Sequence, residues 1–106
     1  MPVMVDGEQL CGSPPHFLLH SSGALVLVYG RRKAPCGERA VVSFDGGDTW
    51  SKEIVLNNEP NPNYGDIGYP ATVELKNGDL YTIYYTHRAP NSVINAVTWN
   101  IKDLEE

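Results

Sequence analysis

The sequence predicts an all-β chain. Three observations carry that prediction: short apolar runs, turn residues spaced between them, and an internal repeat of 55 positions. The 106 residues leave room for one small domain, and at 42% hydrophobic they suffice for a core. No segment carries a convincing helical period. Ten glycines and eight prolines supply the turns.

The elements follow in order. His16 to His20 is a short apolar run, Ser21-Ser22-Gly23 a turn, and Ala24 to Gly30 (ALVLVYG) a second run. Gly23 suits a turn position with positive φ, so the two runs form a hairpin. Arg39 to Phe44 (RAVVSF) is a third strand and Trp50 to Leu56 (WSKEIVL) a fourth, which completes a four-stranded meander within 12–56. After the Asn/Pro-rich stretch Asn57 to Gly68 the pattern restarts. Tyr69 to Leu75, Asp79 to His87 and Val93 to Asn100 make an incomplete second unit over 69–100. The tail Ile101 to Glu106 offers no fourth strand, and Pro2 to Leu10 precedes the first unit.

A shift of 55 positions brings Pro15 onto Pro70, Leu18 onto Val73, Gly23 onto Gly78 and Leu25 onto Leu80. It also brings Val28 onto Ile83, Tyr29 onto Tyr84 and Val42 onto Val97. A period of this size built from four short strands points to propeller blades more than to a solenoid. Such repeats cannot bury their faces alone. The chain is therefore expected to be a piece of a longer protein, the simpler case, or to assemble with other copies.

Composition excludes some functions. A formal net charge of −5 lacks the basic footprint of a nucleic-acid binder. No run of 18 apolar residues exists to span a membrane, and residues 1–20 lack a signal-peptide pattern. Cys11 and Cys36 do not make a disulfide framework, and His16, His20 and His87 show no ligand spacing. Neither a metal nor a cofactor is expected.

One motif stands out: Ser43-Phe44-Asp45-Gly46-Gly47-Asp48-Thr49-Trp50 matches the Asp-box pattern Ser-x-Asp-x-Gly-x-Thr-Trp. Its physics is local. Asp45 accepts backbone N–H bonds across the turn, the glycines permit unusual φ, and Trp50 covers apolar surface. Ser43, Asp45, Gly47, Thr49 and Trp50 are thus expected to build structure, with Asp45 no catalytic acid.

On these residues the chain resembles the sialidase (neuraminidase) superfamily of Asp-box, or BNR-repeat, proteins. The likeness runs from about Gly12 to Trp99, through Arg39 to Trp50 and Gly65 to Tyr85. It implies a six-bladed β-propeller, of which this chain is about two four-stranded antiparallel blades from the C-terminal third. The missing blades of the same protein would be partners, and a sialic acid or related glycan terminus the substrate.

In a meander the tight turns at Ser22-Gly23, the Asp-box and Asn77-Gly78 share one end. The long loops Arg31 to Glu38, Asn57 to Gly68 and Arg88 to Ser92 share the other, where function is expected. Sialidases hold the substrate carboxylate with arginines and attack with a tyrosine activated by a glutamate. The resemblance implies Arg39 as carboxylate ligand and Tyr69 as nucleophile. Asp66 and His16 would line the pocket, as would one of Arg31 and Arg32. The acid/base aspartate and the activating glutamate would lie upstream. Known sialidases tend to end the second strand of the last blade with Tyr-Glu, and here that place reads Tyr84-Tyr85. A non-catalytic glycan-binding propeller or a protein scaffold is the alternative.

Overall fold

The computed structural model describes residues 4–5, 8–9, 15–33, 35–59, 66–88 and 91–102. Cys11 and the centre of the Asn/Pro-rich stretch lie outside them. Among the described residues the strands are β1 (Met4–Val5), β2 (Glu8–Gln9), β3 (His16–Leu19), β4 (Leu25–Arg31) and β5 (Gly37–Ser43). They continue with β6 (Ile54–Asn58), β7 (Ile67–Glu74), β8 (Leu80–Arg88) and β9 (Asn91–Trp99). The molecule is all-β: a β1-β2 ladder, a four-stranded sheet β3-β4-β5-β6 and a three-stranded sheet β7-β8-β9, each an antiparallel meander. No α-helix occurs among the described residues.

The 55-residue repeat is present in the inner hairpins. His16 pairs with Val28 and Leu19 with Leu25, while Ala71 pairs with Ile83 and Glu74 with Leu80. Both turns close in the same way. Gly23 N donates to His20 O at 2.8 Å and Gly78 N to Leu75 O at 3.0 Å, with φ of 93° and 90° at the two glycines. The third strands depart from the shift by one residue. Val26 pairs with Val42 but Tyr81 with Thr98, so Val42 corresponds to Thr98 rather than Val97.

Three boundaries differ from the sequence reading. The fourth strand begins at Ile54; before it Ser51 N donates to Val42 O at 2.9 Å and the Glu53 carboxylate accepts from the Tyr29 hydroxyl. Pairing between β4 and β5 extends to Arg31 and Gly37, which shortens that loop. Pairing of β8 and β9 likewise extends to Arg88 and Asn91, beyond the strand ends expected from sequence.

The two sheets stack, and pairing parity decides which side chains meet. Leu18, Val26, Val28, Ala40 and Val42 share what we term the leading face of the first sheet. That face packs on Leu80, Val97 and Trp99 from the trailing face of the second. Each fully buried Val or Leu contributes roughly 1.5–3 kcal/mol. Trp99 and the two threonines inside this contact are paired with one another: Trp99 Nε1 donates to Thr82 Oγ1 at 3.0 Å, and Thr82 and Thr72 share a 2.8 Å bond.

The stack is pinned along its length. Ser21 N donates to Glu74 Oε1 at 2.8 Å and His20 Nε2 bonds Gly78 O at 2.8 Å at the turn end. Thr72 N donates to His16 Nδ1 at 3.2 Å in the middle. At the far end a Cβ on Gly30 would stand 2.7 Å from Gly68 Cα and Ile67 O, so the backbones approach as only glycine allows.

Candidate functional site

The loop end of the stack, opposite the tight turns, gathers Arg32, Asp66, Tyr69 and Tyr85. A bulge in β7 creates the arrangement. Gly68 pairs with Tyr85 and Ala71 with Ile83, so Tyr69 and Pro70 together oppose Tyr84. Pro70 has no N–H to leave unpaired there. Tyr69 has φ of 47°, the one non-glycine residue with positive φ among those described. A bulky residue before proline prefers extended backbone, so this conformation costs about 1–2 kcal/mol. The bulge turns the Tyr69 ring outward, 63% exposed.

The ring lies against Tyr85, with centroids 5.5 Å apart and planes at 23°. The Arg32 guanidinium carbon stands 5.8 Å from the Tyr69 centroid. Arg32 Nε donates to Ile67 O at 3.0 Å and Nη2 to the Tyr85 hydroxyl at 3.0 Å. Tyr85 in turn donates to Asp66 Oδ1 at 2.7 Å, and that hydrogen bond to a carboxylate holds the phenol above its ordinary pKa. The result is an exposed aromatic platform flanked by one cation and one anion. The Tyr69 hydroxyl has no hydrogen bond among the described residues.

The other residues singled out from sequence sit elsewhere. Arg39 is 3% exposed, and its guanidinium bonds Glu38 O, Asn57 O, Pro35 O and Asn58 Oδ1 at 2.8–3.3 Å. It ties β5 to β6. A Cβ on Gly37 would meet Arg39 Nη1 at 2.3 Å, so glycine makes that room. Arg31 follows Tyr29 in parity and points to the opposite face from the stack, paired with Glu53 at 2.9 Å. His16 bridges β3 to β7, while Asp66 stands within the tyrosine cluster.

Sequence reasoning missed two residues. Tyr85 is the hub of the cluster, and strand parity places it beside Tyr69 once the bulge is known. Glu38 is fully buried, and neither carboxylate oxygen has a hydrogen-bond partner among the described residues. Burial pushes its carboxyl up to about 8, against the pull of Arg39. No sequence signal marks it, since its burial comes from the stacking.

The Asp-box closes on itself at the other end. Ser43 Oγ donates to Asp45 Oδ1 at 2.8 Å and accepts from Gly47 N at 2.8 Å, while Thr49 N donates to Asp45 Oδ1 at 2.9 Å. These bonds, chiefly those from Thr49, lower the Asp45 carboxyl to about 2. Gly46 and Gly47 take φ of 77° and 98°, and Trp50 packs on Leu27, Tyr29 and Val41. Phe44, Trp50 and Ile101 line a groove of about 520 Å³ beside the motif.

Comparison with protein-family models and with curated proteins finds no match for this chain. Among the described residues no helix is long and apolar enough to cross a membrane, and no three His, Cys, Asp or Glu side chains gather as a metal site.

Proposed function

We propose that the chain forms two successive blades of a six-bladed sialidase-type β-propeller whose loop end binds an acidic glycan terminus. The strained Tyr69 against Tyr85, Arg32 and Asp66 carries this reading. Stacked rings suit the apolar face of a sugar, and the guanidinium held over Tyr69 suits its carboxylate. Arg32 takes the carboxylate-binding role that the resemblance implies for Arg39, because the donors of Arg39 are spent on backbone and Asn58. In the complete propeller Tyr69 attacks the anomeric carbon and displaces the aglycone, and water then releases the sugar with retained configuration. The base that takes the phenolic proton and the acid that protonates the leaving group come from other blades.

A non-catalytic glycan-binding propeller is the second reading, favoured by Tyr85 standing where sialidases tend to carry glutamate. The two readings separate on one pair of assays. The propeller carrying all its blades should bind N-acetylneuraminate, with NMR shifts in this segment at Arg32, Asp66, Tyr69 and Tyr85. Arg32→Ala should weaken that binding at least tenfold. Absence of such shifts would overturn both readings and leave the scaffold. The propeller carrying all its blades should hydrolyse a fluorogenic sialoside and lose that activity, but not its binding, in Tyr69→Phe. Binding without hydrolysis would select the second reading.

A further inference from the structure

The leading face of the second sheet is uncovered, as is part of the trailing face of the first. Val73 is 55% exposed, Tyr81 and Ile83 40% each, and Ile94 71%. By the repeat these stand where Leu18, Val26, Val28 and Glu38 lie inside the stack. On the trailing face of the first sheet Phe17 is 54% and Leu19 68% exposed. These correspond to Thr72 and Glu74, which lie in the contact between the sheets. Leu27, Tyr29 and Val41 of that face lie under Trp50, so the chain presents one full half of its internal contact and the inner-strand edge, Phe17 and Leu19, of the other.

The matched positions have also changed together. Within the chain, His20 faces Glu74 at 3.7 Å and His16 accepts from Thr72 N. Shifted by the repeat, the first pair becomes Leu75 with Leu19 and the second Ala71 with Phe17. The His20–Glu74 pair is replaced on both sides by leucine, and the His16 ring that accepts from the Thr72 backbone N becomes Ala71, opposite the larger Phe17. Leu75 is 40% exposed and Ala71 is exposed, which leaves each side of these pairs uncovered.

We infer that a second copy of this chain seats its Phe17–Leu19 face on Ala71, Val73 and Leu75 of the first, continuing the stack head to tail. This rests on the blade-stacking part of the reading above, not on its count of six blades or its glycan chemistry. A contact between unlike faces continues until it closes, and propellers close at four to eight sheets. Two sheets per copy then give a ring of two, three or four chains.

Sedimentation of the 106-residue chain over a concentration series tests it. The expected result is one species of two, three or four chain masses. Leu19→Glu and Val73→Glu should each give folded monomers by circular dichroism. Mixed in equal amounts they should form a dimer and nothing larger, because one intact junction remains. Should either variant unfold, Leu19→Cys mixed with Leu75→Cys should form a disulfide between unlike chains, and neither alone should. A monomeric wild type, an open-ended polymer, or variants that fail to complement would overturn the inference. None of these outcomes depends on glycan binding, so the two proposals fail separately.

Discussion

The two sheets share a hairpin register, but β4 and β5 of the first are buried on both faces while the second leaves its leading face open. Val28 is fully buried while its counterpart Ile83 is 40% exposed. Glu38 is fully buried, yet its counterpart Ile94 is 71% exposed. A carboxyl group sits inside and an isoleucine outside at the same place in the repeat. Burial here follows position in the stack, and hydrophobicity does not override it.

The largest expected effect tests the Glu38 side of that comparison. Its carboxyl is raised from 4.5 to about 8, so the folded chain keeps a proton that the unfolded chain has lost between those values. Stability is full below about pH 4.5 and declines as pH rises towards 8, by roughly 3–5 kcal/mol. Glu38→Gln should flatten this slope in urea unfolding at pH 5 and pH 8. Ile94→Gln should leave it unchanged.

Gly30→Ala should cost about 3 kcal/mol, since the new methyl meets backbone atoms of Ile67 and Gly68 that cannot yield. Tyr85 occupies the corresponding place in the second sheet. Tyr85→Ala should lose the Tyr69 platform and ligand shifts at much smaller cost to the melting temperature.

Val28→Ala should destabilise by about 2 kcal/mol at any concentration. Ile83→Ala should stay within about 0.5 kcal/mol in dilute protein. As concentration rises that second variant should fall further behind the wild type, because association stabilises only what the partner covers.

The smallest effect belongs to the Asp-box. Its Asp45 is depressed from 3.8 to about 2, so its contribution is present above about pH 4 and lost as pH falls through 2. Asp45→Asn should melt below wild type at pH 6, and the two curves should converge near pH 2. The second sheet, which by its strand register has Trp99-Asn100-Ile101 in that place, has no such dependence to lose.

Much of the fold is legible from local chemistry. Gly23 and Gly78 mark turns that need positive φ, and apolar runs between them mark strands whose order follows from short connections. The Asp-box can be read because its bonds join residues within four positions of each other. The site was less legible. Arg31 and Arg32 are neighbours in sequence, yet parity sends one to Glu53 and the other to Tyr85. Arg39 looks like an open strand-end arginine until the carbonyls of Pro35, Glu38 and Asn57 are seen around it. Those partners arrive through a loop and a separate strand, and no spacing rule encodes them.

The sequence by itself determined the all-β class, the hairpin register, the repeat and the closed bonding of Ser43, Asp45 and Thr49. All of these rest on contacts between near neighbours or on period-two alternation. Only the tertiary structure decided which faces of the sheets are buried, that Glu38 lies inside without a hydrogen-bond partner among the described residues, and that Tyr69 is turned out against Tyr85 and Arg32. Those outcomes depend on one sheet meeting another across more than 50 residues of chain, where close packing and desolvation rule over local preference.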